Sequence, residues 1–132
     1  MTERVIGASV LAYALIGKGP EAVSVRARLR RTDCHAPHLI DAELGSVLRR
    51  RVRAGDVTPT EGLTALRAAG DVVDFRYPHA GALAALAWTW RENLSYYDAL
   101  FVAVAVRLDL PLVTGDRRLS RAPALPCSIE LI

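Results

Sequence analysis

The chain has 132 residues, a length that fits a single folded domain spanning residues 1–132. Hydrophobic residues make up 52% of it and charged residues 23%, which excludes an intrinsically disordered chain, because such chains are poor in hydrophobic residues. The formal net charge of +3 permits a polyanionic partner but does not require one.

The cysteines and the N-terminal apolar run bear on where the protein resides. Cys34 and Cys127 are too few for a disulfide scaffold, so we expect a reducing cytoplasm. The apolar run from Val5 to Ile16 is too short to span a bilayer, which takes about 20 residues. A cleaved signal peptide is the weaker alternative, because Ala12-Tyr13-Ala14 resembles a cleavage site. Glu3 argues against it, and we predict a buried strand followed by a helix.

Glycine, proline and helix-capping residues divide the chain into short strands and longer helices. The helices are predicted at Val10–Ile16 after a cap at Ser9, at Glu21–Arg31, at Leu39–Arg53, from a capping box at Thr58 to Ala69, at His79–Glu92, and from Ser95 to Leu108. The strands are predicted at Arg4–Ile6, Cys34–Ala36, Val72–Phe75, Leu110–Thr114 and Ile129–Ile132.

The alternation of strands and helices predicts the fold class. It is typical of an α/β domain with a mostly parallel sheet and helices on both faces. In such open sheets, ligands bind beyond the carboxyl ends of the strands. Two of these ends carry candidate site residues, at Gly7-Ala8-Ser9 and at Thr114-Gly115-Asp116.

Three acidic residues occupy positions that are unusual for a surface charge. Glu43 lies on the apolar side of its predicted helix, where a carboxylate is costly unless it is paired, protonated or metal-bound. Asp98 stands in the first turn of a helix that is apolar on every side and therefore buried. Asp116 directly follows a predicted strand. Singly, each has a simpler explanation, namely a partner arginine for Glu43, helix capping for Asp98 and a turn for Asp116.

As a set, the three acids predict a metal site. Clustered carboxylates repel one another and raise one another's pKa values unless a cation neutralises them. Their hard oxygen atoms select Mg²⁺ or Mn²⁺, and such an ion activates water and stabilises charge on a phosphate. Thr114 precedes Asp116 closely enough to add a hydroxyl group to the same cluster. We therefore predict one metal-dependent site built from Glu43, Asp98 and Asp116.

Four segments, spread in order over essentially the whole chain, carry a family resemblance. They run from Val5 to Leu11, from Ala36 to Arg49, from Tyr96 to Leu100 and from Leu112 to Leu119. In these segments the chain resembles the PIN-domain ribonucleases, and within them the VapC toxins of bacterial toxin–antitoxin pairs. The resemblance implies a PIN-like three-layer α/β fold and an acidic, Mg²⁺- or Mn²⁺-dependent site that cleaves RNA. It also implies a cognate VapB-type antitoxin that blocks the site, and commonly a homodimer.

The resemblance also implies roles for individual residues. Glu43, Asp98 and Asp116 correspond to catalytic metal ligands, or to residues that support those ligands. Ser9 and Thr114 correspond only to polar neighbours of the site.

Gly7 is the one departure from the family pattern, which has an aspartate at the end of the first strand. The change removes one negative charge and one metal ligand, so we expect a weakened or disarmed ribonuclease. Gly7 also favours an alternative from another class, a non-catalytic PIN-fold module that binds RNA or antitoxin without cleavage. A doubly wound signalling domain is disfavoured, because Gly7 stands where such a domain needs acidic residues.

Arginines form two clusters that could bind a polyanion. The first cluster consists of Arg49, Arg50, Arg51 and Arg53, and the second of Arg117, Arg118 and Arg121. The second cluster flanks Asp116, so we expect Arg117 and Arg118 to contact RNA phosphates or an acidic antitoxin segment. The alternative for both clusters is a solvated helix face.

Overall fold

Strands and helices alternate along the chain in the computed structural model, which describes residues 2–132. The strands are β1 (Thr2–Ile6), β2 (Thr32–Pro37), β3 (Phe75–Tyr77), β4 (Leu112–Thr114) and β5 (Ile129–Leu131). The helices are α1 (Ala8–Ile16), α2 (Pro20–Arg30), α3 (Leu39–Arg53), α4 (Pro59–Val72), α5 (Ala82–Trp88), α6 (Tyr96–Leu108) and α7 (Arg117–Ser120). The α/β class predicted from the sequence is confirmed.

The five strands form one sheet in the order β3-β2-β1-β4-β5, and every pairing is parallel. Parallel neighbours need crossover connections, which the helices supply. β1 is central, with Val5 aligned with His35 of β2 on one side and with Leu112 of β4 on the other. The Gly7 N–H donates to the Val113 carbonyl at 2.9 Å, so β1 and β4 end side by side. Their carboxyl ends therefore share one edge of the sheet.

The core lies between the central strands and helix α6. Val5 and Ile6 of β1 are fully buried, and the seven consecutive residues of α6 from Ala99 to Ala105 are all buried. Helix α6 packs against β1, β2 and β4, as expected for a helix that is apolar on every side, whereas α1 packs against α2, α3 and α4. The predicted buried strand and helix within the run from Val5 to Ile16 are thus confirmed. No helix within residues 2–132 is both long and apolar enough to cross a membrane.

The predicted strand at Val72–Phe75 is wrong, because α4 continues to Val72 and the strand begins only at Phe75. The N–H of Val73 closes the last turn of α4 by donating to the carbonyl four residues earlier. Asp74 then joins β2, since its N–H donates to the Cys34 carbonyl and its carboxylate accepts from the Cys34 N–H at 2.7 Å. Cys34 and Asp74 are 40 residues apart, and their contacts fix the chain just before β3. The strand therefore begins at Phe75 and not at the apolar Val72.

The largest other differences from the predicted elements concern α5 and α7. The helix predicted at His79–Glu92 is reduced to α5, which follows Gly81 at a φ of 67°, a backbone conformation that favours glycine. Turns occupy the segment between α5 and Ser95, the confirmed cap of α6. The short helix α7 was not predicted, because four residues are too few to show helical periodicity. The capping box of Thr58 with Glu61 is confirmed.

Glu130 attaches the edge strand β5 to the rest of the domain. Its carboxylate accepts hydrogen bonds from Arg4 Nε, at 3.1 Å to Oε1 and 3.0 Å to Oε2, and also from Arg28 of α2. Burial acts to raise the pKa of Glu130, but the guanidinium groups of Arg4 and Arg28 outweigh it and hold the pKa below its usual range. The carboxylate therefore stabilises the fold in its charged form.

Glu130→Gln is expected to lower the free energy of unfolding by about 1 kcal/mol at neutral pH, because it removes the charge shared by the two arginines. A carboxyl group with a lowered folded-state pKa stabilises above its ordinary pKa, and that stabilisation is lost as the pH falls through the lowered value. Urea unfolding at about pH 7 and about pH 3 checks this, with the exposed Glu92→Gln as the control. Equal destabilisation at both pH values would show that packing, rather than charge, is responsible.

Candidate active site

A cavity of about 170 Å³ opens at the carboxyl ends of β1 and β4. We call it the acid cavity. Its lining contains the predicted acidic and supporting polar residues and the glycine beside them, namely Gly7, Ser9, Glu43, Asp98, Thr114 and Asp116, but not the predicted contacts Arg117 and Arg118. Glu43 comes from α3, Asp98 from the first turn of α6 and Asp116 from the turn between β4 and α7. Three elements far apart in sequence thus bring their carboxylates to one place.

Burial and neighbouring carboxylates raise the pKa values of Glu43 and Asp98. Burial raises the pKa of Glu43, and the negative charge of Asp98 raises it further. Burial also raises the pKa of Asp98, the Ser95 side chain opposes this shift, and the charge of Asp116 adds to it. These effects are those of a carboxylate cluster that lacks enough positive charge of its own.

Asp116 forms a turn and also lines the acid cavity, although the sequence analysis treated these two roles as alternatives. Its Oδ1 accepts hydrogen bonds from the N–H groups of Arg118 at 2.8 Å and Leu119 at 3.3 Å, so it caps α7. Its own N–H donates to Thr114 Oγ1 at 3.1 Å, which fixes the turn after β4. The expected turn is therefore present, and it holds the carboxylate at the rim of the acid cavity.

The prediction that Ser9 caps the first helix is wrong. Helix α1 begins at Ala8, its cap position is Gly7, and no side chain caps it. The Ser9 hydroxyl accepts a hydrogen bond from the Gly115 N–H at 3.2 Å instead. A Cβ atom at Gly115 would lie 3.3 Å from Ser9 Oγ, so glycine permits this close approach. Ser9 therefore ties the end of β1 to the turn that carries Asp116.

The backbone does not require a glycine at position 7. Gly7 has a φ of −83° and a ψ of 162°, an extended conformation that any residue adopts. A Cβ atom there would lie 3.6 Å from the Val113 carbonyl oxygen and 3.7 Å from Thr114 Oγ1, which are ordinary contacts. An aspartate at this position would therefore fit the fold beside the other acids. The backbone therefore does not explain why position 7 lacks the carboxylate that the family resemblance leads us to expect.

The donor atoms of the acid cavity suit a hydrated divalent cation. Carboxylate and hydroxyl oxygens are hard ligands of the type that Mg²⁺ and Mn²⁺ prefer. Within residues 2–132, no three His, Cys, Asp or Glu side chains lie close enough together to form a complete ligand group. Mg²⁺ commonly binds through one or two carboxylates and keeps several waters. The donors present fit such partial protein coordination, centred on Glu43 and Asp98.

Apolar side chains line part of the acid cavity, and the sequence analysis did not identify them. Phe101 is 5% exposed and lies three residues after Asp98, whereas Leu119 is 6% exposed and lies three residues after Asp116. Residues three apart on a helix share a face, so the spacing could have indicated Phe101. These side chains reduce the access of water to the carboxylates and so contribute to their desolvation.

The two predicted arginine contacts lie on α7 beside the acid cavity. Arg117 is exposed, and the Arg118 side chain is 94% exposed with its Nε 4.0 Å from Asp116 Oδ1. Both are therefore available to an anionic partner. In the other cluster, Arg51 forms an ion pair with Asp56 at 3.0 Å, as expected for a solvated helix face.

Comparisons with known proteins agree with this fold. The PIN domain family matches residues 5–125. Ribonuclease VapC1 of Mycobacterium tuberculosis is 45% identical over 132 residues, which cover 100% of this chain and 99% of that protein. The structure of VapBC2 from Rickettsia felis, bound to a DNA fragment from their promoter, has a TM-score of 0.71 at 12% identity and 99% coverage of each chain.

A second solved structure comes from Mycobacterium tuberculosis. It is VapBC-5, a member of the VapBC family of toxin-antitoxin systems, with a TM-score of 0.62, 19% identity and 100% coverage of each chain. At these identities the two solved structures show only that the fold is shared. The family match and the 45% identity to VapC1 show that this chain belongs to the same family as VapC1. The chain belongs to the PIN-domain family and, within it, to the VapC ribonucleases.

Glu43→Gln is expected to raise the melting temperature of the metal-free protein at neutral pH, because it removes a charge that burial and Asp98 disfavour. A carboxyl group with a raised folded-state pKa costs stability above that pKa, and the cost disappears as the pH falls. Thermal unfolding in EDTA at about pH 7 and about pH 4 checks this, with Glu92→Gln as the control. A gain of the same size at both pH values would contradict the electrostatic explanation.

Proposed function

We propose that this chain is an endoribonuclease toxin that depends on Mg²⁺ or Mn²⁺ and is impaired by Gly7. The observation that carries the proposal is the meeting of Glu43, Asp98 and Asp116 at one cavity on the carboxyl edge of the sheet. The relative VapC1 is named a ribonuclease, which supports RNA as the substrate.

Each side chain of the acid cavity has a task in this proposal. Glu43 and Asp98 hold the cation, because both carboxyl groups are partly buried and each has a neighbouring negative charge, that of Asp98 for Glu43 and that of Asp116 for Asp98. A bound Mg²⁺ or Mn²⁺ supplies a water of lowered pKa and offsets charge on the phosphate. Asp116 adds its Oδ2 atom to the cavity, since the hydrogen bonds that cap α7 go to Oδ1. Ser9 and Thr114 keep the turn that carries Asp116 in place.

Positive charge beside the acid cavity serves to attract the substrate. Arg117 and Arg118 stand exposed on α7, within reach of a phosphate bound at the acids. Such contacts neutralise backbone phosphates and weaken as salt rises. We propose that the same two arginines also meet an acidic segment of a cognate VapB-type antitoxin, which would block access to the site.

The assembly and location belong to the same proposal. VapBC structures share the fold of this chain, which supports a VapB-type partner. We propose a homodimer as well, for which the exposed Leu63 and Leu66 of α4 offer apolar surface. The free cysteines Cys34 and Cys127 suit a reducing cytoplasm, where we place the activity.

Gly7 sets the expected level of activity. A fourth carboxylate would add one negative charge and one ligand, so its loss lowers the affinity for the cation. The same feature favours the second candidate function, a non-catalytic module that binds RNA or antitoxin through the retained fold. The two candidates differ in one respect: residual cleavage is expected only of the first.

Gly7→Asp is expected to raise Mn²⁺-dependent cleavage of single-stranded RNA by at least about tenfold, because position 7 accepts a side chain without strain and the added carboxylate completes the acid cluster. Initial rates on a labelled RNA are compared between this chain and the variant at several Mn²⁺ concentrations.

Matched variants separate the charge from the size of the new side chain. Gly7→Asn has nearly the same shape as Gly7→Asp but no charge, so it should leave the rate low. Asp98→Asn in the Gly7→Asp background should abolish the gain. Equal, measurable rates for this chain and Gly7→Asp would contradict the impairment by Gly7, and complete inactivity of both would overturn the proposed function in favour of the non-catalytic module.

A further inference from the structure

A second cavity adjoins the acid cavity and shares part of its wall. It has a volume of about 470 Å³ and is bounded by α3, the start of α1 and the first turn of α6. Ala8, Ser9 and Glu43 line both cavities. We call the second cavity the side groove. These three residues separate the two cavities, so an extended ligand bound at the acids can pass over them into the side groove.

The side groove combines an exposed aromatic ring with an available cation. Tyr97 is 57% exposed and directly precedes Asp98 in the first turn of α6. Arg50 is exposed on α3, and its guanidinium forms no ion pair within residues 2–132, unlike that of Arg51. Arg50 lies seven residues after Glu43, which places it two helical turns, about 10 Å, further along the same face.

The remaining wall of the side groove is made of uncharged side chains of α3, namely Leu39, Ala42, Ser46 and Val47. Apart from Glu43 and Arg50, a flat ring that lies against Tyr97 therefore meets apolar or small polar neighbours. The groove offers a stacking surface at one side and a positive charge at the end away from the acid cavity.

We infer that the side groove is a subsite for one unstacked nucleotide of the RNA, with its base on Tyr97 and a neighbouring phosphate on Arg50. The inference rests on the proposed function, because the acid cavity is where the RNA would be cut. Single-stranded RNA is recognised by stacking splayed bases on aromatic side chains, and arginine binds phosphate bidentately. An aromatic ring and an arginine joined to an acidic site match these needs.

The position of the subsite gives the RNA a path across the protein. Arg118 lies beside Asp116 at one side of the acid cavity, and Arg50 lies beyond Glu43 in the side groove. A strand that contacts both arginines must pass over the acids between them. Because a base paired in a duplex cannot stack on Tyr97, the subsite selects single-stranded RNA.

The test is the binding of a short, fluorescently labelled single-stranded RNA to the full chain, followed by fluorescence anisotropy. Tyr97→Ala is expected to weaken the Kd by about tenfold, whereas Tyr97→Phe, which keeps the stacking surface, binds like the parent chain. Arg50→Ala is expected to weaken the Kd and to reduce the slope of log Kd against log salt by about 0.7.

Matched controls lie on the same helices. Tyr96, 41% exposed, is the neighbouring aromatic residue, and Arg53 is an exposed arginine of α3; neither lines the side groove. Tyr96→Ala and Arg53→Ala should therefore change the Kd little. A fully abasic ribose-phosphate oligonucleotide of the same length should bind the parent chain and Tyr97→Ala equally, a signature that a merely structural role of Tyr97 would not give.

The outcomes distinguish the subsite from the proposed function. Unchanged RNA affinity in Tyr97→Ala and Arg50→Ala, or equal losses in the two control variants, would show that the side groove does not bind a nucleotide. The absence of RNA binding by the parent chain overturns the subsite as well. Losses confined to Tyr97→Ala and Arg50→Ala support the subsite even if Mn²⁺-dependent cleavage is absent, and that absence counts against the proposed function alone.

Discussion

The parallel pairing of β1 with β4 is the constraint on which the site depends. The hydrogen bond from the Gly7 N–H to the Val113 carbonyl makes the two strands end together. The turn that carries Asp116 therefore lies beside the start of α1, where the Ser9 hydroxyl holds it through Gly115. Helices α3 and α6 pack around these strand ends and add their own carboxylates to the same edge. The geometry of the acids thus follows from the sheet.

Charge balance decides what this arrangement can do. Burial raises the pKa values of Glu43 and Asp98. The charge of Asp98 raises the pKa of Glu43 further and the charge of Asp116 raises that of Asp98, so the acid cavity is short of positive charge. In the proposed function Gly7 reduces this shortage, because it lacks the carboxylate that the family resemblance implies and that the backbone would accept. We therefore expect a site of the same shape with a weaker demand for a metal. The adjoining groove shares Glu43 with the acid cavity, but Tyr97 and Arg50 line the groove alone, so the proposed binding of RNA does not require cleavage.

The sequence predicted the parts of the fold and site that arise from local patterns. Helical periodicity identified Glu43, and an apolar helix behind a serine cap identified Asp98, because both signals lie within one element. The role of Ser9 could not be predicted, since its partner Gly115 is brought near only by strand pairing. The start of β3 was missed for the same reason, as Asp74 is fixed by a contact with a distant strand. The resemblance to a known family indicated that these separate acidic residues belong to one site.

The central claim is that Glu43 and Asp98, with Asp116 at the same cavity, form the centre of a cation site that Gly7 leaves incomplete. Calorimetric titration of Mn²⁺ into this chain, Gly7→Asp and Asp98→Asn tests it most directly. The account predicts weak binding by this chain, binding tighter by roughly tenfold or more in Gly7→Asp, and no binding in Asp98→Asn. Affinity that is unchanged by Asp98→Asn, or that does not increase in Gly7→Asp, would contradict it.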